Sequence, residues 1–132
     1  MNGFSLHPQL AADCHELGLR RGCRILLHHN ANLPWYILVP ETAALELHEL
    51  TGSERAHLDA VMDELARFVK AYHASERVNV AAIGNRVPQL HVHVVGRHEG
   101  DPCWPEPVWG NLPPGPAWSP SEIGAIRQQL GL

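Results

Sequence analysis

The sequence predicts an α+β domain built on a mainly antiparallel sheet, and three features carry this prediction. Two short apolar segments, 24–29 and 35–40, are separated by turn residues and are typical of a β-hairpin. A long amphipathic helix is predicted over residues 53–73, and two further strand-like segments, 77–83 and 89–96, follow it. A hairpin, a helix and two more strands in this order favour a sheet with a helix packed on one face.

Length, composition and charge limit the class of protein. The chain has 132 residues, of which 45% are hydrophobic and 18% charged, as expected for one globular domain over residues 1–132. Its net charge of −4 argues against nucleic acid or an anionic membrane surface as a partner. The apolar runs are too short to cross a membrane, and the first ten residues lack the blocks of a signal peptide. Three widely spaced cysteines indicate reduced thiols in a cytoplasmic protein.

The helices can be predicted from their ends and their apolar stripes. Residues 8–17 favour a short helix with a proline in its first turn. Thr51 and Glu54 have the spacing of a capping box at the start of the long helix. The apolar residues of that helix recur at steps of three and four and predict one buried face: Leu58, Val61, Met62, Leu65, Phe68, Val69 and Tyr72.

The composition changes near the end of the chain. Residues 101–120 hold seven of the eleven prolines and three of the four tryptophans, which predicts an extended segment that wraps a surface and forms neither a helix nor a central strand. Ser119, Pro120 and Glu122 have the pattern of an N-cap, a first turn and a capping-box partner, and therefore predict a last short helix.

The segment QLHVHV, residues 89–94, places polar and apolar side chains in strict alternation. In a strand, every second side chain points to the same face. The apolar set of Leu90, Val92 and Val94 is therefore predicted to pack under the long helix. Gln89, His91 and His93 are then predicted to lie together on the opposite, accessible face.

This polar face admits three functional interpretations, besides a sheet face that is merely rich in histidine. His-x-His begins many zinc sites, with His28, His29, His98 or Asp101 as candidate third ligands. An imidazole can also act as a nucleophile near neutral pH, with a second histidine as proton donor and a glutamine amide to fix the tautomer. The face could instead bind a polar molecule without chemistry. The residues alone leave all three open.

The motif and its surroundings resemble the histidine triad (HIT) family, whose signature is His-φ-His-φ-His-φ-φ with φ apolar. QLHVHVV is preceded by VNVAAIGN and GNRVP, LLHHNANLPWYILVPE resembles the first hairpin of the family, and GDPCWPEPVWG resembles the tail of a bacterial, diadenosine polyphosphate hydrolase-like branch. The resemblance is strongest over residues 20–110. It implies a five-stranded, mainly antiparallel sheet packed by one long helix, with short terminal helices.

The resemblance also implies a reaction. His91 would attack the α-phosphorus of a nucleoside phosphoramidate or dinucleoside polyphosphate to give a covalent nucleotidyl-histidine, His93 would hydrogen-bond the phosphoryl oxygens or leaving group, and Gln89 would support His91. Gln89 stands where the family usually has its first histidine. The alternative is therefore a nucleotide-binding protein with little or no turnover. A related nucleotidyltransferase branch with glutamine at the third position is active. No metal or other cofactor is implied, and family members form homodimers.

Further positions match residues that contact substrate in the family. Those expected at the phosphates are Asn79 on the neighbouring strand and Gly84, Asn85 and Arg86 in the turn before the motif. His29 or Asn30 is expected near the ribose, whereas His28 is expected, by alternation, to face the other way.

Two groups of residues outside the motif have simpler expected roles. Arg97 is predicted to be structural and to pair with Glu99 or Asp101. The tryptophans of the tail are predicted either to line the nucleotide pocket or to cover a dimer surface: Trp104, Trp109 and Trp118.

Overall fold

The computed structural model describes residues 3–132 and contains five strands and three α-helices in that range. The strands are β1 (Cys14–Arg20), β2 (Cys23–His28), β3 (Trp35–Pro40), β4 (Arg77–Ala81) and β5 (Val92–Arg97). The helices are α1 (Pro8–Asp13), α2 (Gly52–Tyr72) and α3 (Pro120–Leu130), and a 3-10 turn occupies Leu47–Glu49. The strands form one sheet in the order β1-β2-β3-β5-β4, and every neighbouring pair is antiparallel. The predicted α+β class and five-stranded sheet are confirmed.

The predicted helix over residues 8–17 is wrong in its second half. Helix α1 ends at Asp13, and Cys14 begins β1, which pairs with β2 from Cys14↔His28 to Arg20↔Cys23. The β2 backbone supplies hydrogen-bond partners along the sheet that a helix at these positions would leave unused. This pairing with a distant segment overrides the local helical preference, because buried backbone groups need partners. Leu17 is thereby buried in the core at 1% exposure.

Helix α2 covers one face of the sheet, as its stripe predicts, but the prediction is wrong for Tyr72 at the end of the helix, which is 42% exposed. Thr51 is the N-cap and forms the predicted capping box with Glu54. The four fully buried residues of the helix pack against sheet residues from β2, β3 and β5 in one apolar cluster, and they are Leu58, Val61, Leu65 and Val69. None of the helices within residues 3–132 combines the length and the hydropathy needed to cross a membrane.

The opposite face of the sheet, which the alternation predicts to be accessible, is also covered, in part by the predicted wrapping tail. A second apolar cluster joins this face to α1 and to the tail, through Leu10 on one side and Val108 on the other. Both of these residues are 3% exposed. The tail runs through turns to residue 112 and is irregular from there to α3, whose N-cap at Ser119 and capping box with Glu122 are as predicted. The sheet is therefore the middle layer of three.

Candidate functional site

The histidine motif begins before its strand does. The segment was predicted to be a strand from residue 89, but β5 begins at Val92. The reason is that the pairing of β3 with β5 stops at Leu38↔Val92 and that of β4 with β5 stops at Ala81↔His93, so residues 89–91 pair with neither strand. The backbone turns there, with the N–H of Gln89 donating to the carbonyl of Val87 at 2.9 Å.

The polar face of the motif is enclosed instead of accessible. Val92 and Val94 join the cluster under α2, as predicted, and Leu90 is also buried. His91 and His93 are only 6% and 7% exposed, because the tail and the N-terminal segment cover the second face of the sheet. Their rings lie 5.0 Å apart, centroid to centroid, at an interplanar angle of 71°.

The environment of His93 fixes where its proton lies. Nδ1 of His93 is 3.0 Å from Nε1 of Trp35, and an indole nitrogen can only donate a hydrogen bond. Nδ1 must therefore be the unprotonated nitrogen, and Nε2 carries the hydrogen. Burial, with smaller contributions from the neighbouring His91 and His28, lowers the pKa of His93 to about 3. His93 is thus a neutral imidazole that presents an N–H from Nε2.

His91 has the opposite tautomer. Its Nδ1 is 2.7 Å from the backbone carbonyl oxygen of Gln89, and a carbonyl oxygen can only accept. Nδ1 of His91 therefore carries the hydrogen, and the lone pair lies on Nε2. The two histidines together place one nitrogen lone pair and one N–H donor at a single pocket, which both residues line.

Gln89 supports His91 through its backbone, whereas the resemblance implied a role for this residue in the triad. Its side-chain amide bonds the N-terminal segment: Oε1 accepts from the N–H of His7 at 2.8 Å, and Nε2 donates to the carbonyl of Ser5 at 3.0 Å. The side chain is therefore occupied by the chain's own backbone.

The two histidines lie in a cavity of about 580 Å³ between the sheet, the N-terminal segment and the tail. This volume suits a nucleotide-sized molecule. The polar and aromatic residues that line it come from widely separated parts of the chain: Asp13, His28, Asn30, Trp35, Asn85, Arg86, His91, His93 and Trp109. Apolar lining is contributed mainly by Leu10, Ile37, Ile83, Val87, Val108 and Leu112.

The predicted phosphate-contacting residues separate in the structure. Asn85 and Arg86 line the cavity with the histidines, and both are exposed. Gly84 instead lines a small recess beside His91. Asn79 does not line the cavity, and its Oδ1 accepts from Nη1 of Arg97 at 2.9 Å.

The end of β2 is oriented oppositely to the prediction. His28 faces the cavity and stacks on Trp35, with ring centroids 4.2 Å apart and planes 9° from parallel. His29 is exposed and contacts His15, at 4.3 Å between centroids. In β2, Leu26 and His28 lie on the cavity side of the sheet, and Asn30, the other residue expected near the ribose, lines the same cavity just beyond the strand end. Burial lowers the pKa of His28 against a smaller opposing effect of Asp13.

Asn30 is also tied to the tail. Its Oδ1 accepts from the N–H of Asn32 at 3.0 Å, and its Nδ2 donates to the carbonyl of Pro113 at 2.9 Å. A Cβ on Gly115 would come within 2.6 Å of Asn30 Oδ1, so only glycine allows the tail to approach this closely. Trp118 adds a hydrogen bond of 3.1 Å from its indole to the carbonyl of His28.

Arg97 has the predicted structural role. It is 1% exposed and bonds Asp101 twice, at 2.8 Å from Nε and 3.1 Å from Nη2. Burial alone would raise the pKa of the Asp101 carboxyl, but its hydrogen bonds from Arg97 and from the amides of Cys103 and His98 outweigh burial and hold it below the ordinary value. The prediction of Asp101 as the partner is confirmed.

Three cavity residues were missed or given another role. Asp13 was placed inside a predicted helix, and nothing in the sequence indicates that it lines a site. Trp35 is predicted only as the first residue of a hairpin strand, although it both lines the cavity and bonds His93. Trp109 was one of three candidates, and its ring lies 5.1 Å from that of His93. The described residues 3–132 contain no cluster of three or more potential metal ligands.

The chain is similar to known proteins over most of its length. The family model of the HIT domain matches residues 10–100. A histidine triad (HIT) protein from Sinorhizobium meliloti has 36% identity and a TM-score of 0.92, covering 99% of this chain and 97% of that one. A histidine triad protein from Marinobacter aquaeolei has 40% identity and a TM-score of 0.88, covering 96% and 93%.

A third solved structure, a histidine triad protein from Bradyrhizobium japonicum, has 37% identity and a TM-score of 0.88, and covers 95% of this chain and 96% of that one. No match was found among curated proteins. The family model begins in α1 and ends three residues beyond β5, so it includes the strands and the histidine segment that line the cavity. The chain therefore belongs to the histidine triad (HIT) family.

Proposed function

We propose that this protein is a nucleotide phosphohydrolase or nucleotidyl transferase that cleaves at the α-phosphate through a covalent nucleotidyl-His91 intermediate. One observation carries the proposal: the paired tautomers of His91 and His93, each fixed by a partner that can only donate or only accept. Membership of the HIT family supports nucleotide binding and nucleotide hydrolase or transferase chemistry in general.

The first step uses the lone pair of His91. Nε2 attacks the α-phosphorus of a nucleoside phosphoramidate or dinucleoside polyphosphate, a P–N bond forms, and the bond from phosphorus to the leaving group breaks with its electron pair going to that group. The imidazole gains positive charge as it bonds phosphorus. Its Nδ1–H then makes a charge-assisted hydrogen bond to the Gln89 carbonyl, which strengthens as the charge develops.

His93 has a donor role in this scheme. Its Nε2–H can stabilise negative charge on the phosphoryl oxygens. It does not act as a general acid. Its pKa of about 3 keeps the ring neutral near neutral pH, Nδ1 is already bonded to the indole N–H of Trp35, and a neutral imidazole would have to become an anion to give up its remaining hydrogen. A phosphate leaving group needs no proton near neutral pH, whereas an amine leaving group takes one from solvent. Water then attacks phosphorus and forms a P–O bond, while the P–N bond to His91 breaks with its electron pair returning to Nε2. The nucleoside monophosphate leaves, the proton of the attacking water passes to solvent, and His91 is neutral again.

The remaining lining residues suggest how substrate lies in the cavity. Arg86 is the cationic side chain among the lining residues and, with Asn85, is proposed to contact the phosphates. Asp13 would repel a phosphate. We therefore place the nucleoside toward Asp13, His28 and Asn30, and expect Trp109 to face the reacting end beside His93. Gly84 is proposed to allow the turn that carries Asn85 and Arg86. Asn79 and His29 do not line the cavity and are not proposed to contact substrate.

The test is release of AMP from adenosine 5′-phosphoramidate and from diadenosine tetraphosphate, in the presence of EDTA. The unmutated protein should turn over, and His91→Asn should lose at least about 10³-fold in kcat while still binding AMP. His57→Asn, on the exposed side of α2, is the matched control and should retain activity. Tight AMP binding by an unmutated protein that shows no turnover would favour the alternative of a binding protein.

We further propose that two subunits form a homodimer through the β4 edge of the sheet. β4 is a terminal strand of the sheet, Val80 on it is 48% exposed, and Tyr72 at the end of α2 is 42% exposed. An exposed strand edge with apolar side chains favours pairing with a second chain. Sedimentation equilibrium should give a dimer for the unmutated protein and a monomer for Val80→Asp.

A cytoplasmic location is proposed from the cysteines. Cys14, Cys23 and Cys103 are free thiols, and burial raises the pKa of Cys14 to about 12 and of Cys23 to about 11. Such thiols are unreactive and fit a reducing compartment.

A further inference from the structure

The side chain of Gln89 fastens the N-terminal segment to the histidine motif. It accepts from the N–H of His7 and donates to the carbonyl of Ser5, so one amide satisfies a donor and an acceptor of the same backbone stretch. An amide can serve both groups because it carries both a carbonyl and an NH₂. Glutamate at this position would keep the acceptor and lose the donor.

The fastened segment leads directly into one wall of the cavity. Before it, Phe4 lies against the guanidinium of Arg24 at 5.0 Å and packs on the second apolar cluster together with Leu6. After it, α1 begins at Pro8 and places Leu10 and Asp13 in the cavity lining.

The far end of α1 has its own attachments. The carbonyl of Asp13 accepts from the N–H of His29 at 2.9 Å, and its carboxylate accepts from the side chain of Gln9 at 2.9 Å. The wall is thus held at Asp13 by the sheet and at residues 5–7 by Gln89. A helix of 6 residues is too short to be stable alone, so its position depends on these attachments together with the packing of Leu10 in the second apolar cluster.

We propose that Gln89 is a positioning residue for substrate binding: its side chain holds residues 5–7 and thereby sets the position of the Leu10–Asp13 wall that bounds the nucleoside end of the cavity. The proposal rests on the proposed function for the identity of the ligand. It separates Gln89 from the chemical step, because His91 is oriented by the backbone carbonyl of residue 89, which any substitution retains.

The expected kinetic consequence is a rise in KM with a smaller change in kcat. A wall that contacts the nucleoside binds substrate and transition state alike, so loosening it weakens both equally. Two lost neutral hydrogen bonds predict that Gln89→Ala raises KM about 5- to 50-fold. The KM of Gln89→Glu should lie between those of the unmutated protein and Gln89→Ala, since glutamate keeps the acceptor for the N–H of His7.

The backbone of His7 allows one of these bonds to be removed by itself. Its φ of −56° and ψ of 135° are compatible with proline, which has no N–H. The imidazole of His7 also caps α1 by accepting from the N–H of Gln9 at 3.0 Å. His7→Ala removes this cap and keeps the backbone N–H, whereas His7→Pro removes both. The difference between the two variants therefore isolates the hydrogen bond to Gln89.

The experiment measures kcat and KM for adenosine 5′-phosphoramidate, AMP affinity by calorimetry, and amide hydrogen exchange over residues 8–13. We expect His7→Pro to show about threefold or more weaker binding than His7→Ala, with faster exchange over α1. In a Gln89→Ala background, the Pro and Ala variants should be equal, because their shared partner is already absent.

Three results would overturn the proposal. The first is equal hydrogen exchange and equal AMP affinity in His7→Pro and His7→Ala, and the second is a Gln89→Ala variant that loses kcat at unchanged KM. The third is a difference in affinity or exchange between His7→Pro and His7→Ala that persists in the Gln89→Ala background. Failure of the proposed function gives another pattern. If the unmutated protein binds AMP without turnover, exchange and affinity still decide whether Gln89 holds the wall. If it binds no AMP, the nucleotide role fails with the proposed function, and exchange alone shows whether the segment is fastened.

Discussion

His91 and His93 are two residues apart, and their different hydrogen-bond partners give them different chemical roles. One ring faces a carbonyl and keeps a lone pair for the pocket, while the other faces an indole N–H and keeps a hydrogen for it. The sequence predicts the two histidines and their alternation. It cannot predict their tautomers, because Trp35 lies 58 positions away in the chain and meets His93 only through the β3–β5 pairing.

Trp35→Phe tests this assignment at the level of one hydrogen bond. Without the indole donor, both neutral tautomers of His93 become available, so the donor toward phosphate is lost in part of the population. We expect kcat to fall roughly tenfold. Nitrogen NMR of His93 should show a mixture of tautomers in place of the single Nε2–H form.

Trp109→Phe is the matched control for this experiment. Trp109 also contacts the ring of His93, at 5.1 Å, but its indole nitrogen is buried without a hydrogen-bond partner within the described part of the chain. The tautomer of His93 should therefore stay unchanged in this variant. Equal loss of the Nε2–H form in both variants would contradict the assignment.

At the level of elements, local sequence signals predict the hairpin, α2 and the start of α1. Long-range contacts determine where α1 ends, that β1 forms, and where β5 begins. Thr51 and Glu54 are three residues apart and mark the start of α2 whatever the rest of the chain does. Cys14 becomes a strand residue because His28 is available across the sheet, and residue 89 does not because no strand reaches it. The wall formed by Leu10 and Asp13 was missed for the same reason.

Two glycines on different elements predict opposite effects of the same substitution. In β5, a Cβ on Gly96 would overlap Oγ of Ser75 and lie 2.7 Å from both Cγ of Pro34 and Cγ1 of Val69, so Gly96→Ala should lower the free energy of unfolding by about 2 kcal/mol or more. In α3, the corresponding atom on Gly124 meets nothing within 4 Å. Gly124→Ala should therefore raise stability by about 0.5–1 kcal/mol. Urea unfolding measures both changes, and a stable Gly96→Ala protein would contradict the close packing of β5 against α2.

At the scale of the whole molecule, the three layers bury histidines on both faces of the sheet. Burial lowers the pKa of His73, which bonds the hydroxyl of Tyr36 at 2.8 Å, to about 4, and that of His93 to about 3. Both pKa values lie below the ordinary value of about 6.5, which applies in the unfolded chain. As the pH falls below 6.5, the unfolded state therefore takes up protons that the folded state resists, and stability declines.

This linkage predicts a steep loss of stability in acid. Between pH 7 and pH 4, His93 should lower the free energy of unfolding by about 3 kcal/mol, and His73, which is only partly buried, by a smaller amount because solvent screens it. His93→Gln and His73→Gln should each flatten the dependence of unfolding free energy on pH in this window, measured by urea unfolding at a series of pH values. A slope that neither substitution changes would mean that these histidines do not control acid stability.

The covalent step is tested most directly by labelling the protein during turnover. Adenosine 5′-phosphoramidate labelled at phosphorus is mixed with the protein, the reaction is stopped in alkali within the first turnover, and the denatured protein is digested to locate the label. A covalent nucleotidyl-His91 intermediate predicts a labelled nucleotide on the peptide that contains His91, and no label on His91→Asn. Release of AMP without any labelled protein, or at an unchanged rate by His91→Asn, would contradict it.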